Sequence, residues 1–228
     1  MDRRFDYFDR GSVRKRLKIG IPKGVTEKVQ PAVRENFDKA IDAVREIADV
    51  TTDIEWPDLP WGPAVGAIVG AEGASAFLDL IESGKTAEPQ VSPGAATPAT
   101  PAPDPRGRLP PGDAPARPMK RAVAAVFQQY DAIAAPTRAS VSYPADKNFE
   151  DVYPGISGGP PLIAAGNLCG LPALALPNGY GENGLPTSIS FLGPAFSEYD
   201  LVALGNALPG AHGVEPEGAA RRGVSSRA

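Results

Sequence analysis

The chain has 228 residues, a formal net charge of −4, one cysteine and one histidine. That length supports one sizeable core; mild acidity without an extended Lys/Arg run argues against nucleic acid and anionic membrane as partners. The single thiol, Cys169, excludes an internal disulfide and fits a reducing compartment, while no apolar run approaches the ~18 residues of a spanning helix, so the expectation is a soluble cytoplasmic α/β protein.

In chain order, a charged N-terminal extension (residues 1–16) without an apolar leader precedes Leu17, Ile19 and Ile21, which alternate as a short strand does. From Pro31 the period changes: Val33, Phe37, Ile41, Val44 and Ile47 lie on one face of a helix whose first turn suits proline. Val50, Thr52, Ile54 and Trp56 alternate again, giving a βαβ unit with an expected right-handed crossover. No G-x-G-x-x-G follows the first strand, so nothing points to a dinucleotide. Gly62 to Ser83 predicts a second helix with Val65, Ile68, Val69, Ala76 and Leu80 on its core stripe. Glu72 falls on that stripe, either as an inward acid, base or partner or as a solvated helix-edge glutamate.

Thr86–Pro118 carries ten prolines in 33 residues and only Val91 and Leu109 as large apolar side chains. Pro209–Ala228 has Val214 and Val224 alone. Neither segment buries enough apolar surface to offset its ordering entropy. Between them, Met119, Val123, Val126, Phe127 and Tyr130 predict a helix opening near Pro118, followed by a strand at Ile133–Ala135. Residues 138–156 read as loop, and Pro161–Leu168 as a helix ending on a left-handed Gly170. Ala173–Leu176 and Thr187–Leu192 read as strands around a turn built from Gly179, Gly181, Asn183 and Gly184; Ile189 and Phe191 share one face, Ser188 and Ser190 the other. Ser197 and Asp200 are candidate caps of a last helix carrying Leu201, Leu204 and Leu208.

Asn167-Leu-Cys-Gly-Leu-Pro-Ala173, Gly184-Leu-Pro186 and Leu192-Gly-Pro-Ala-Phe-Ser-Glu198 closely resemble the C-terminal signature of the amidase-signature hydrolases. The I-G-I-P-K-G strand with its helix, the A-E-G-A-S-A run (Ala71–Ala76) and the D-x-x-x-x-P-T element (Asp131–Thr137) are similar to further segments of that family. The resemblance implies a mixed α/β sheet flanked by helices, divided as residues 17–85 and 119–208 around a Pro/Ala-rich insert (86–118), with a tail at 209–228. The insert and tail depart abruptly from it, with a composition that suits either a frame-shifted GC-rich reading or a disordered insert.

By that resemblance the chemistry is amide hydrolysis through a Ser–cis-Ser–Lys triad. It sits in a G-G-S-S-G-G type run and an upstream lysine of the family's N-terminal half. This sequence has no such run. No catalytic residue is therefore carried over, and no cofactor or metal is implied. Ser225-Ser226 lies in the polar tail without following glycines and receives no role. Gly155-Ile-Ser157-Gly-Gly159 satisfies G-x-S-x-G, but Tyr153-Pro154 rather than a strand precedes it and the lone His212 lies in the tail. Ser157 reads better as a helix N-cap, and Cys169 as a packing residue rather than a reactive thiol. Three readings stay open: the C-terminal portion of an amidase that needs a separate N-terminal half or self-association through an exposed apolar face; a non-catalytic binding module; or a serine hydrolase using Ser157.

Overall fold

The computed structural model describes residues 16–85, 116–156 and 162–208. The first alternating run forms β1 (Lys18–Pro22), buried after its first residue. α1 (Pro31–Ile47) follows with proline in its first turn and Val33, Phe37, Ile41 and Val44 inward, as the three-and-four spacing demands. β2 (Asp49–Ile54) runs parallel to β1. Then come α2 (Trp61–Ala76), α3 (Leu78–Glu82), α4 (Ala116–Val126), β3 (Ala132–Pro136), α5 (Phe149–Val152) and α6 (Leu162–Cys169). β4 (Ala173–Tyr180), a 3-10 turn (Glu182–Gly184), β5 (Pro186–Leu192) and α7 (Glu198–Ala207) complete the described chain.

The five strands make one mixed sheet in the order β2-β1-β3-β5-β4. β1 is parallel to both neighbours, whereas β5 is antiparallel to β3 and β4. Because side chains alternate across a strand, the two faces carry different sets. On one face Ile19, Ala134, Ile189 and Phe191 meet Phe37, Ile41 and Val44 of α1 and Leu201 and Leu204 of α7. On the other, Ile133, Ala135 and Leu192 meet Leu162 of α6. Farther from the sheet, Trp61 of α2 packs with Met119 and Val123 of α4 and Ala165 of α6. The result is the expected mixed α/β sheet flanked by helices.

Several elements differ from their sequence readings, each for a physical reason. β1 starts at Lys18 and β2 stops at Ile54, short of Trp56. Asp53 takes φ 55 and the β1–β2 register shifts there, so alternation no longer implies pairing. The 62–83 helix is two helices, broken at Phe77 (φ −110, ψ 21). Its apolar stripe is not core: Trp61 is the buried residue of α2, while Ile68, Val69 and Leu80 are exposed. α4 starts at Ala116, ahead of Pro118, and the loop-like 138–156 segment contains the single-turn α5.

β4 continues past Leu176 through Pro177 to Tyr180. It is an edge strand, where a missing N–H is tolerated, and its register shifts between Pro177 and Gly179. Gly170 does take the left-handed conformation (φ 67) at the end of α6. Ser197 occupies the N-cap position of α7 but does not cap it; its hydroxyl donates to the Pro194 carbonyl at 2.7 Å. The Pro/Ala-rich 86–115 stretch and the 209–228 tail lie outside the described residues.

Candidate functional site

Polar side chains converge where the N-terminus of α1 meets the ends of β3, β4 and β5. Gln30, just ahead of the proline that opens α1, is buried. Its Oε1 accepts from the Val141 N–H at 2.8 Å, and its own N–H donates to the Ala139 carbonyl at 2.8 Å. Its Nε2 donates to Glu182 Oε2 at 3.3 Å. One residue therefore ties the 139–141 loop and the turn after β4 to α1. Farther along α1, Asn36 Nδ2 donates to the Tyr180 carbonyl (3.0 Å) and to Thr187 Oγ1 (2.9 Å). The Thr187 hydroxyl donates in turn to Asn178 Oδ1 at 2.8 Å. Gly179, at φ 151, lets the strand pass Asn36: a Cβ there would lie 2.6 Å from the Asn36 side-chain carbon. Across β3 and β5 the Thr137 and Ser190 hydroxyls share a hydrogen bond of 2.7 Å.

The loop held in this way walls an open cavity of about 320 Å³, lined by Arg138, Ala139, Ser140, Val141, Ser142, Tyr143 and Phe149. Tyr143 and Phe149 meet edge to face at 5.6 Å between centroids, Phe149 and Tyr153 at 5.8 Å. The Tyr153 hydroxyl donates to the Ser142 carbonyl at 3.0 Å, closing the loop on itself. The volume sits at the lower end of small-ligand pockets. A guanidinium, three hydroxyls and two rings can recognise an amide or carboxylate attached to an apolar group. Among the described lining residues there is no Lys, His, Asp, Glu or Cys.

The residues singled out in the sequence are dispersed. Ser157, His212 and the Ser225-Ser226 pair lie outside the described residues. What precedes Ser157 is the short α5 and a turn in which Gly155 takes φ 79. A nucleophile elbow needs a strand at that place. Glu72 is exposed on α2, as the solvated reading of that residue has it. Cys169 is half-buried at the end of α6; burial pushes its thiol above the usual value, with the Lys120 charge opposing, which disfavours the reactive thiolate. The Glu35 carboxyl is held below its usual value by the hydrogen bond and charge of Lys39, 2.7 Å away on the solvent face of α1. No group of three or more His, Cys, Asp or Glu among the described residues could hold a metal ion, and no described helix is long and apolar enough to cross a membrane. Sequence reasoning missed Gln30, Asn36 and Thr187. The available signal was a glutamine before a helix-opening proline and an asparagine beside the Val33/Phe37 stripe, and neither names a partner more than a hundred residues away.

The sequence model of the Amidase family matches residues 3–202. The chain belongs to the amidase family. Among curated proteins, it is similar to a glutamyl-tRNA(Gln) amidotransferase subunit of Chloroflexus aurantiacus, 28% identical over 216 residues that cover 84% of this chain and 44% of that protein. The same-named protein of Streptococcus pneumoniae is 36% identical over 95 residues, 40% of this chain and 19% of that one. Among solved structures, the native peptide amidase of Stenotrophomonas maltophilia superposes with a TM-score of 0.61 at 20% identity, over 91% of this chain and 46% of that one. A bacterial aryl acylamidase of the amidase-signature family gives 0.60 at 17% identity, over 93% and 47%. At these identities the structural likeness establishes the fold, which is the one expected for the family. The amidase chain spans less than half the length of these relatives.

Proposed function

We propose that this chain is the C-terminal part of an amidase. In this reading it contributes the β1-α1-β2 unit and the β3–β5–β4 end of the sheet to an enzyme that hydrolyses carbon–nitrogen amide bonds. In this reading the serine, bridging serine and lysine belong to the family's N-terminal half, and this chain without that half is inert toward amides. The reading rests on one conjunction: family membership over most of the chain, combined with a sequence that has no G-G-S-S-G-G type run and spans 44% of the Chloroflexus relative. The cavity beside Arg138 fits the accompanying role of a substrate wall, because it offers recognition groups. Residues 17–85 and 119–208 are the proposed amidase-like parts, separated by a non-native or inserted 86–118 stretch.

The test is ammonia release from simple amides by the purified chain, with and without a separately expressed N-terminal amidase half, and with Ser157→Ala in parallel. The expected result is no turnover by the chain alone, and turnover in the mixture that is insensitive to Ser157→Ala. Turnover by the chain alone, lost in Ser157→Ala, would overturn the reading in favour of a serine hydrolase.

A further inference from the structure

The segment that leaves β3 alternates in burial. Ala139 and Val141 are each 3% exposed, whereas Arg138 and Ser142 are exposed and Ser140 between them is half-buried. The odd-numbered residues carry the attachments. The Thr137 N–H donates to the Ser188 carbonyl at 2.9 Å; the Ala139 carbonyl accepts from the Gln30 N–H at 2.8 Å. The Val141 N–H donates to Gln30 Oε1, also at 2.8 Å. Alternate side chains of an extended segment point opposite ways. Pinning 137, 139 and 141 therefore turns Arg138, Ser140 and Ser142 to the other side, where they line the cavity with Tyr143 and Phe149.

An exposed arginine is ordinary where it pairs with a neighbouring acid or rides on a loose loop. Arg138 does neither. It makes no hydrogen bond or ion pair among the described residues, and its backbone is held on both sides by the bonds just named. The described lining holds no Asp or Glu. Glu182, which the same network draws in, receives Gln30 Nε2 at 3.3 Å. One fixed positive charge and the hydroxyls of Ser140, Ser142 and Tyr143 thus face the cavity with no carboxylate among the described lining to answer them.

Charge and shape narrow the ligand. A guanidinium is a planar fork that matches the two oxygens of a carboxylate at once. The remaining lone pairs of those oxygens suit the serine hydroxyls. One cation balances a monoanion, whereas a phosphate dianion would leave a charge unmatched by the described lining. Beside the guanidinium, the Tyr143 and Phe149 rings meet edge to face at 5.6 Å, and Tyr143 keeps 41% of its surface exposed. That surface calls for an apolar body attached to the carboxylate, and an aryl group meets ring edges and faces best.

We propose that this cavity binds an organic monocarboxylate with an aryl body, and that Arg138 sets its preference for the carboxylate over a neutral amide. Under the half-amidase reading, on which this step alone rests, that ligand is the substrate: an amide that carries a free carboxylate besides the bond to be cleaved. The probes are N-benzoylglycine, its neutral counterpart N-benzoylglycinamide, acetate and inorganic phosphate. Each is titrated by ligand-observed NMR into the full chain and into Arg138→Gln, Arg138→Lys and Tyr143→Ala. Thermal unfolding of every variant and ammonia release from N-benzoylglycinamide are recorded alongside.

N-Benzoylglycine is expected to bind saturably and about tenfold or more tighter than each of the other three probes, the scale of one charge-assisted hydrogen bond. Arg138→Gln should erase its advantage over the amide at an unchanged melting temperature, and Arg138→Lys, which keeps the charge without the fork, should restore only part. Tyr143→Ala should weaken both benzoyl probes alike. Equal affinity for acid and amide in the parent, or an advantage that survives Arg138→Gln, overturns the proposal. A lower melting temperature in Arg138→Gln also overturns it, by showing the guanidinium engaged within the fold. Phosphate or acetate binding as tightly as N-benzoylglycine would reject the aryl carboxylate, and so would no binding of N-benzoylglycine at all. Ammonia release from N-benzoylglycinamide by the chain alone would instead overturn the half-amidase reading, and a preference for acid over amide lost in Arg138→Gln would still stand.

Discussion

Replacing Gln30 with alanine tests whether one buried side chain holds the cavity wall. In the native chain the Val141 N–H is buried and donates to Gln30 Oε1 at 2.8 Å. Truncation leaves that N–H without its acceptor, and an orphaned buried donor costs about 1–3 kcal/mol. The second bond, from Nε2 to Glu182 Oε2, is longer at 3.3 Å, and it adds little at a partly solvated site. The expected loss is thus about 2 kcal/mol in urea unfolding, or roughly 4–8 °C in Tm for a domain of this size. It should come with loss of hydrogen-exchange protection at the Val141 amide, while the Phe191 amide in the sheet keeps its protection. Gln30→Glu separates the two bonds: it retains an acceptor for Val141 but turns a carboxylate toward Glu182, so Glu182→Gln should recover part of its loss. Gln30→Ala within about 0.5 kcal/mol of the parent, the range of an ordinary surface change, with Val141 still protected, would refute the clamp.

Phe191 is fully buried at the centre of the sheet, paired with Ala134 and Leu174; Phe191→Ala should cost about 3–5 kcal/mol in denaturant unfolding, and a loss below about 1 kcal/mol would place it outside the core. Gly179→Ala combines a backbone conformation that L residues rarely adopt with a Cβ 2.6 Å from the Asn36 side chain. It should destabilise by at least about 1 kcal/mol, and the Asn36 side-chain amide protons should lose their hydrogen-bonded shifts by NMR; an unchanged spectrum would count against the Asn36–Thr187 clamp. Burial raises the Cys169 thiol above its ordinary value of 9.0, so alkylation by iodoacetamide at pH 8 should be slower than for cysteine in an unfolded peptide. Because the folded chain favours the neutral thiol, this group's contribution to stability is complete below the unfolded value. It falls as pH rises from there toward the folded value, and Cys169→Ala should remove that part of the alkaline decline in stability.

What the sequence by itself determined was local. The three-and-four spacing of Val33, Phe37, Ile41 and Val44 placed α1 and its inner face. The alternation of Ile189 and Phe191 against Ser188 and Ser190 placed β5 and its two faces, and Gly170 marked the end of α6. Period and φ preference are properties of neighbouring residues, so they survive without any knowledge of the fold. The family motifs were legible for a related reason, being fixed spacings along the chain.

Tertiary structure decided everything that depends on distant neighbours. β4 runs on through Pro177 because it lies at the sheet edge, a position that strand order alone defines. Gln30 and Asn36 became clamps because folding brought residues 139–141 and 178–187 to the start of α1. The α2 stripe carried the pattern of a core helix yet ends in solvent. Periodicity reports which face is apolar; what covers that face is set by the elements that reach it, and α4 and α6 reach Trp61 and stop short of Val69.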